Sequence, residues 1–74
     1  MPTKPVLVVA EMVANILEVA VDVGDRVAVG DEVVLLESMK MEIPVFSADA
    51  GVVTAVKVTP GDVVQEGDIL IELT

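Results

Sequence analysis

The chain repeats itself at an offset of 37 residues, half its length of 74. Val19, Val21, Gly24, Asp25, Val27, Gly30, Asp31 and Leu36 recur as Val56, Val58, Gly61, Asp62, Val64, Gly67, Asp68 and Leu73. Each half carries Val-x-Val-x-x-Gly-Asp-x-Val-x-x-Gly-Asp, so residues 14–37 and 51–74 read as two copies of one plan. This overrules a purely local reading. Across residues 9–22, Val9, Met12, Val13, Ile16, Leu17 and Ala20 fall at helical spacing, with Glu11, Asn15, Glu18 and Asp22 opposite. The equivalent run in the second half, Gly51 to Val58, is β-branched and alternates at its end, as a strand does. If the halves share a structure, residues 15–23 are also a strand, with Leu17, Val19, Val21 and Val23 on one side and Glu18 and Asp22 on the other.

The Gly-Asp pairs are turns, because glycine accepts φ > 0 and aspartate hydrogen-bonds its own local backbone. They predict strands at 4–9, 15–22, 32–38, 41–46, 52–58 and 68–73, and very short ones near 26–28 and 63–65. The expected fold is all-β: one domain over residues 1–74, a flattened eight-strand barrel or sandwich of two quasi-two-fold related halves. Closing the sheets protects the edges of so many short strands. Moving Met39-Lys40 by 37 positions lands on residues 2–3 or just beyond Thr74. The tip of the central hairpin and the termini are then equivalent places, at opposite ends of the molecule.

The absent residue types exclude most chemistry. There is no Cys, His, Trp or Tyr, and Phe46 is the single aromatic. Thiolate nucleophiles, disulfides and the commonest metal ligand and general base are therefore missing. A domain this small buries only about 60% of its unfolded surface, which leaves little room for a deep substrate pocket. No catalytic residue and no metal ligand is expected. The net charge of −9, with scattered cations at Lys4, Arg26, Lys40 and Lys57, argues against nucleic acid, whose phosphates need Lys and Arg. The acidity either steers the domain to basic partner surfaces or simply keeps it soluble. Glu11 ends the apolar run that begins at Pro5, and the stretch 6–23 is broken by Glu11, Asn15, Glu18 and Asp22. No membrane partner and no targeting segment is read there, and a cytoplasmic monomer is expected.

Glu32–Ser38 and Met41–Phe46 read as strands joined around Met39-Lys40. Two-residue hairpin loops favour Asn-Gly, because both central residues take φ > 0. Met-Lys is a poor choice on those grounds, which suggests side chains kept for function. A wider loop needing no left-handed residues, with the methionines capping the core, is the structural alternative.

The stretch Glu37-Ser38-Met39-Lys40-Met41-Glu42 resembles the attachment motif of biotin carboxyl carrier domains, in the biotinyl/lipoyl attachment family. Gly24-Asp25, Gly30-Asp31, Ala50-Gly51-Val52-Val53 and Pro60-Gly61-Asp62 extend the likeness from about Val9 to Leu73. The chain is most similar to the short free-standing biotin attachment proteins, which lack an extra insertion found in some carriers. The resemblance implies that Lys40 is biotinylated by a biotin protein ligase, with Met39, Met41, Glu37, Ser38 and Glu42 as recognition residues. It further implies that the biotin carries a carboxyl group between biotin carboxylase and carboxyltransferase subunits, the domain being a carrier and not an enzyme. The chemistry is coherent with this. An ordinary lysine amine, with a pKa of about 10.4, is neutral in only roughly one part in a few thousand at pH 7. Base and activated acyl group must come from another enzyme. A lipoyl carrier on the same lysine, or a dual biotin/lipoyl attachment protein, is the alternative, although lipoyl motifs usually place Asp before the lysine. A membrane-fusion adaptor hairpin would need a long helical insertion between the halves, and none is present. Two departures stand out: Met12-Val13-Ala14 replaces a Met-Pro-Gly-like turn, so Ala14 would be strained if that turn needs φ > 0, and Ser38 replaces the commoner Ala.

Overall fold

The duplication in the sequence is a duplication of the sheets. The computed structural model describes residues 5–74, and its strands are β1 (Val6–Val9), β2 (Ala14–Val19), β3 (Arg26–Val27), β4 (Glu32–Ser38), β5 (Met41–Phe46), β6 (Gly51–Val56), β7 (Val63–Val64) and β8 (Ile69–Leu73). They form two four-stranded sheets, ordered β1-β8-β6-β3 and β5-β4-β2-β7. A shift of 37 residues carries one order onto the other, strand for strand. The expected sandwich is thus present, and all eight expected strands are found. The start of the expected first strand, at Lys4, lies outside the described residues.

The segment that has helical spacing over residues 9–22 contains a strand, β2, with an interrupted alternation. Against β4, β2 carries a bulge between Ile16 and Glu18, and a bulge inserts one extra residue into one strand of a pair. Ala14 and Ile16 are buried, whereas the inserted Leu17 is turned out and 37% exposed. The inward row resumes at Val19 and Val21, which pack on the core. The step of three between Ile16 and Val19 breaks the two-residue alternation of the strand, and Leu17 and Ala20 of the helical face lie exposed. The expected row of Leu17, Val19, Val21 and Val23 is therefore corrected to Ala14, Ile16, Val19 and Val21. Val23 sits exposed in a turn. An equivalent bulge at Val53/Ala55 leaves Thr54 outside in β6.

Eight side chains are essentially inaccessible: Ile16, Val33, Val34, Leu36, Val53, Leu70, Ile71 and Leu73. They are four pairs at the offset of 37, so both halves contribute equally to one core. Full burial of such a side chain is worth about 1.5–3 kcal/mol. Val33 and Leu70 are the extra residues of a second pair of bulges, facing β5 and β1.

The four Gly-Asp turns are alike in detail. In turns 22–25, 28–31, 59–62 and 65–68, the aspartate N–H donates to the carbonyl three residues back, at 3.0–3.1 Å. Its carboxylate in turn accepts the N–H of that same residue, at 2.8–2.9 Å. The third position is always glycine, with φ between 91° and 98°, and Pro60 occupies the second position of one turn, as type II geometry favours. Gly30 also donates to Ser47 O at 2.8 Å, tying its turn to the chain just beyond β5. Gly30→Ala is expected to lower stability by about 1–2 kcal/mol. The added Cβ would meet nothing within 4 Å, so the loss comes from φ alone. Urea unfolding checks this, and an unchanged midpoint would remove backbone conformation as the reason for glycine.

Ala14 is not strained. It has no positive φ and pairs with Val64 as Gly51 pairs with Val27. Gly51 is glycine for another reason: a Cβ there would stand 3.0 Å from the Thr74 carbonyl oxygen.

Candidate functional site at the β4–β5 hairpin tip

A left-handed backbone marks the hairpin tip. Ser38 pairs with Met41 and Glu37 with Glu42, leaving Met39 and Lys40 as a two-residue loop. Their φ values are 54° and 64°, and among the described residues they alone combine positive φ with a side chain. Two successive left-handed residues are what a type I′ turn requires, and each costs roughly 1–2 kcal/mol for a residue with a Cβ. The wider loop without left-handed residues is thereby excluded. Glycine or asparagine would close this hairpin with less strain. Backbone strain concentrated on two large side chains points to a role outside folding.

Strand alternation then sorts the neighbours. Met41 continues the row of Ile43 and Val45, which pack against the core, but lies past its end and is 59% exposed. Met39 is 89% exposed, so it caps nothing. Glu37 and Glu42 project from the opposite face, directly across from each other. Like charges in that register oppose pairing by about 0.2–1 kcal/mol. Asn15 extends the row, pairing with Glu37 on one side and Val63 on the other. A loop of two residues at 39–40 dictates this adjacency of Glu37 and Glu42. In the other sheet, Thr74 stands against Val52 as Glu37 stands against Asn15, so the end of the described chain and the lysine hairpin occupy equivalent corners.

Lys40 is exposed. Among the described residues the ion pair is Lys57–Glu72, at 3.5 Å, so the Lys40 amine is held by no carboxylate. No cluster of His, Cys, Asp or Glu among those residues could hold a metal ion. A groove of about 390 Å³ runs between the edge strands β1 and β5, over Ile43, Val45, Val6 and Val8, and Lys40 does not line it. The tip can offer an amine to an external active site and has nothing of its own with which to activate it.

The family model described as "Biotin-requiring enzyme" matches residues 5–73. The chain is 57% identical over 61 residues to a biotinylated protein TB7.3 homolog of Mycobacterium leprae, covering 82% of this chain and 86% of that one. It is 48% identical over 64 residues to a biotin/lipoyl attachment protein of Bacillus subtilis, covering 86% and 88%. Among solved structures, the urea carboxylase of Kluyveromyces lactis matches all of this chain with a TM-score of 0.90 and 30% identity, over only 6% of its own length.

Proposed function

The chain belongs to the Biotin_lipoyl family as a biotin carrier domain, and on that premise we propose that Lys40 is the residue that carries the biotin. The single observation behind this assignment is the Met39-Lys40 turn, where an unpaired, exposed amine is presented on a strained two-residue loop. A lysine amine becomes an amide only when its acyl donor is already activated. The donor is biotinyl-adenylate held by a biotin protein ligase. The Lys40 Nζ attacks the biotinyl carbonyl carbon, the bond from that carbon to the phosphate oxygen breaks, and AMP leaves. The amine proton passes to a base of the ligase or to water. Met39 and Met41, with Glu37, Ser38 and Glu42, form the surface that the ligase reads around the amine.

The loaded domain is a substrate of two further active sites. Lys40 would hold the biotin, which would supply a carrier for a carboxyl group between the two sites. The likeness to a carboxylase structure supports this role. The domain contributes presentation alone and acts as a monomer.

Lipoate is the second arm to be tested, because one relative is named a biotin/lipoyl attachment protein. Intact mass after co-expression with a biotin ligase distinguishes the readings. A single biotinyl increment is expected. A lipoyl increment, or an unmodified mass under full induction of the ligase, would refute the assignment.

A further inference from the structure

The duplicated frame supplies an internal control for every surface residue, since a position and its repeat share one backbone environment. On the outer face of β5-β4-β2, the cross-strand rows read Phe46–Glu32, Pro44–Leu35–Glu18 and Glu42–Glu37–Asn15. Glu18, Glu32, Glu37 and Glu42 stand where the repeat has Ala55, Ile69, Thr74 and Pro5. The middle of the face is reversed as well. Leu35 stands where the other sheet has Glu72, which is neutralised by Lys57 at 3.5 Å, and Leu17 stands where it has Thr54. The fold does not require the acidic rim, or leucine at positions 17 and 35, because the other half is built without them; at the repeats of Pro44 and Phe46 it carries Leu7 and the smaller Val9, both exposed.

The centre is exposed. Phe46, the only aromatic of the chain, is 57% accessible at one end of the face. Pro44 beside it is exposed and Leu35 half-buried. Solubility would be served by carboxylates anywhere and is opposed by an exposed phenyl ring. An aromatic anchor with a charged rim is instead the anatomy of a protein interface. A second copy of this chain does not fit, because opposing two such faces would bring glutamates against glutamates with no cation on β2, β4 or β5. The face calls for a partner with an apolar pocket ringed by Lys and Arg.

The position of the face identifies that partner, given the assignment of Lys40 above. β5 begins beside the lysine and reaches Phe46 in about 17 Å at the usual strand rise. Loading takes place at Nζ itself, so the loading enzyme must close on the tip and lies against the adjoining face. Once biotin is attached, the reacting atom is an arm's length from the domain and needs no such contact. We propose that the outer face of β5-β4-β2, anchored by Phe46 and rimmed by Glu18 and Glu32, docks the basic surface of the biotin protein ligase that loads Lys40.

The test is steady-state biotinylation of the whole chain by the ligase of the same genome, with circular dichroism melting of each variant. Phe46→Ser is expected to raise KM about tenfold with kcat unchanged. Phe46→Val installs the residue that the repeat carries at Val9, and it tests the same contact if the serine variant fails to fold. The Glu18→Gln, Glu32→Gln double variant raises KM and flattens the increase of KM with salt. Thr54→Ala, on the outer face of the other sheet at the repeat of Leu17 and away from the groove that Phe46 lines, changes neither parameter. Unchanged KM in the folded Phe46 variants, an equal loss from Thr54→Ala, or a dimer dispersed by Phe46→Val would each overturn the proposal. Wild-type protein left unmodified by the ligase overturns the Lys40 assignment together with this surface. Modified wild type with unaltered Phe46 kinetics overturns the surface alone.

Discussion

Replacing Lys40 with arginine is expected to abolish biotin loading completely and leave the fold intact. Arginine keeps the length and the charge, but its guanidinium stays protonated and cannot act as a nucleophile. The side chain is exposed, and the strained φ of 64° is borne equally by either residue. Surface changes of this kind usually stay within about ±0.5 kcal/mol, so melting should hardly move. Lys57 cannot take over. Its amine is paired with Glu72, its backbone N–H is bonded to Leu70 O, and no methionine flanks it. Peptide mapping of the labelled wild-type protein should therefore find biotin on Lys40 and none on Lys57 or Lys4. Biotin on Lys57, or full labelling of the arginine variant, would remove Lys40 from the role.

The fold was legible because the chain states it twice. Segment 9–22 is ambiguous alone, and only its repeat Gly51–Val58, with Val52, Val53, Thr54 and Val56, identifies it as a strand. What could not be read was the bulge. Inserting Leu17 changes the inward step from two residues to three, and strict alternation therefore places Leu17 inside when it faces out. The Gly-Asp turns were readable in kind because only glycine accepts their φ near 90° cheaply. At Met39-Lys40 the local rule failed in an informative way. Turn chemistry argues against Met-Lys in a type I′ loop, yet the loop forms, because β4 and β5 pair on both sides of it and over-determine its backbone. The Phe46 face was invisible beforehand. Which of Leu17, Leu35, Pro44 and Phe46 point outward depends on two bulges, and each one reverses the alternation that a sequence pattern would follow.

Exchanging the flanking methionines, with Met39→Asp and Met41→Ala together, should impair loading far more than folding. At position 39 the φ of 54° is unfavourable for methionine, and aspartate is among the side-chain-bearing residues that tolerate that region best. The first change should thus leave stability level or slightly raised. Met41 lies beyond the end of the inward row and is 59% exposed, so truncation to alanine removes little packed surface. A net stability change within about 1 kcal/mol is expected, read as a melting curve close to that of the native chain. The ligase meets a different surface. Two long, polarizable side chains that can adapt to an apolar cleft are replaced by a carboxylate and a methyl group. Loss of such anchors at the centre of a contact typically costs about 2 kcal/mol, or roughly thirty-fold in kcat/KM for biotinylation. Because lipoyl motifs usually carry Asp before the lysine, co-expression of the same variant with a lipoyl ligase should produce the lipoyl mass increment. A collapse of the melting temperature would make the methionines part of the core. Unchanged biotin kinetics on a folded variant would instead mean that the ligase reads the lysine by the shape of the hairpin and its acidic face, with the two methionines as bystanders.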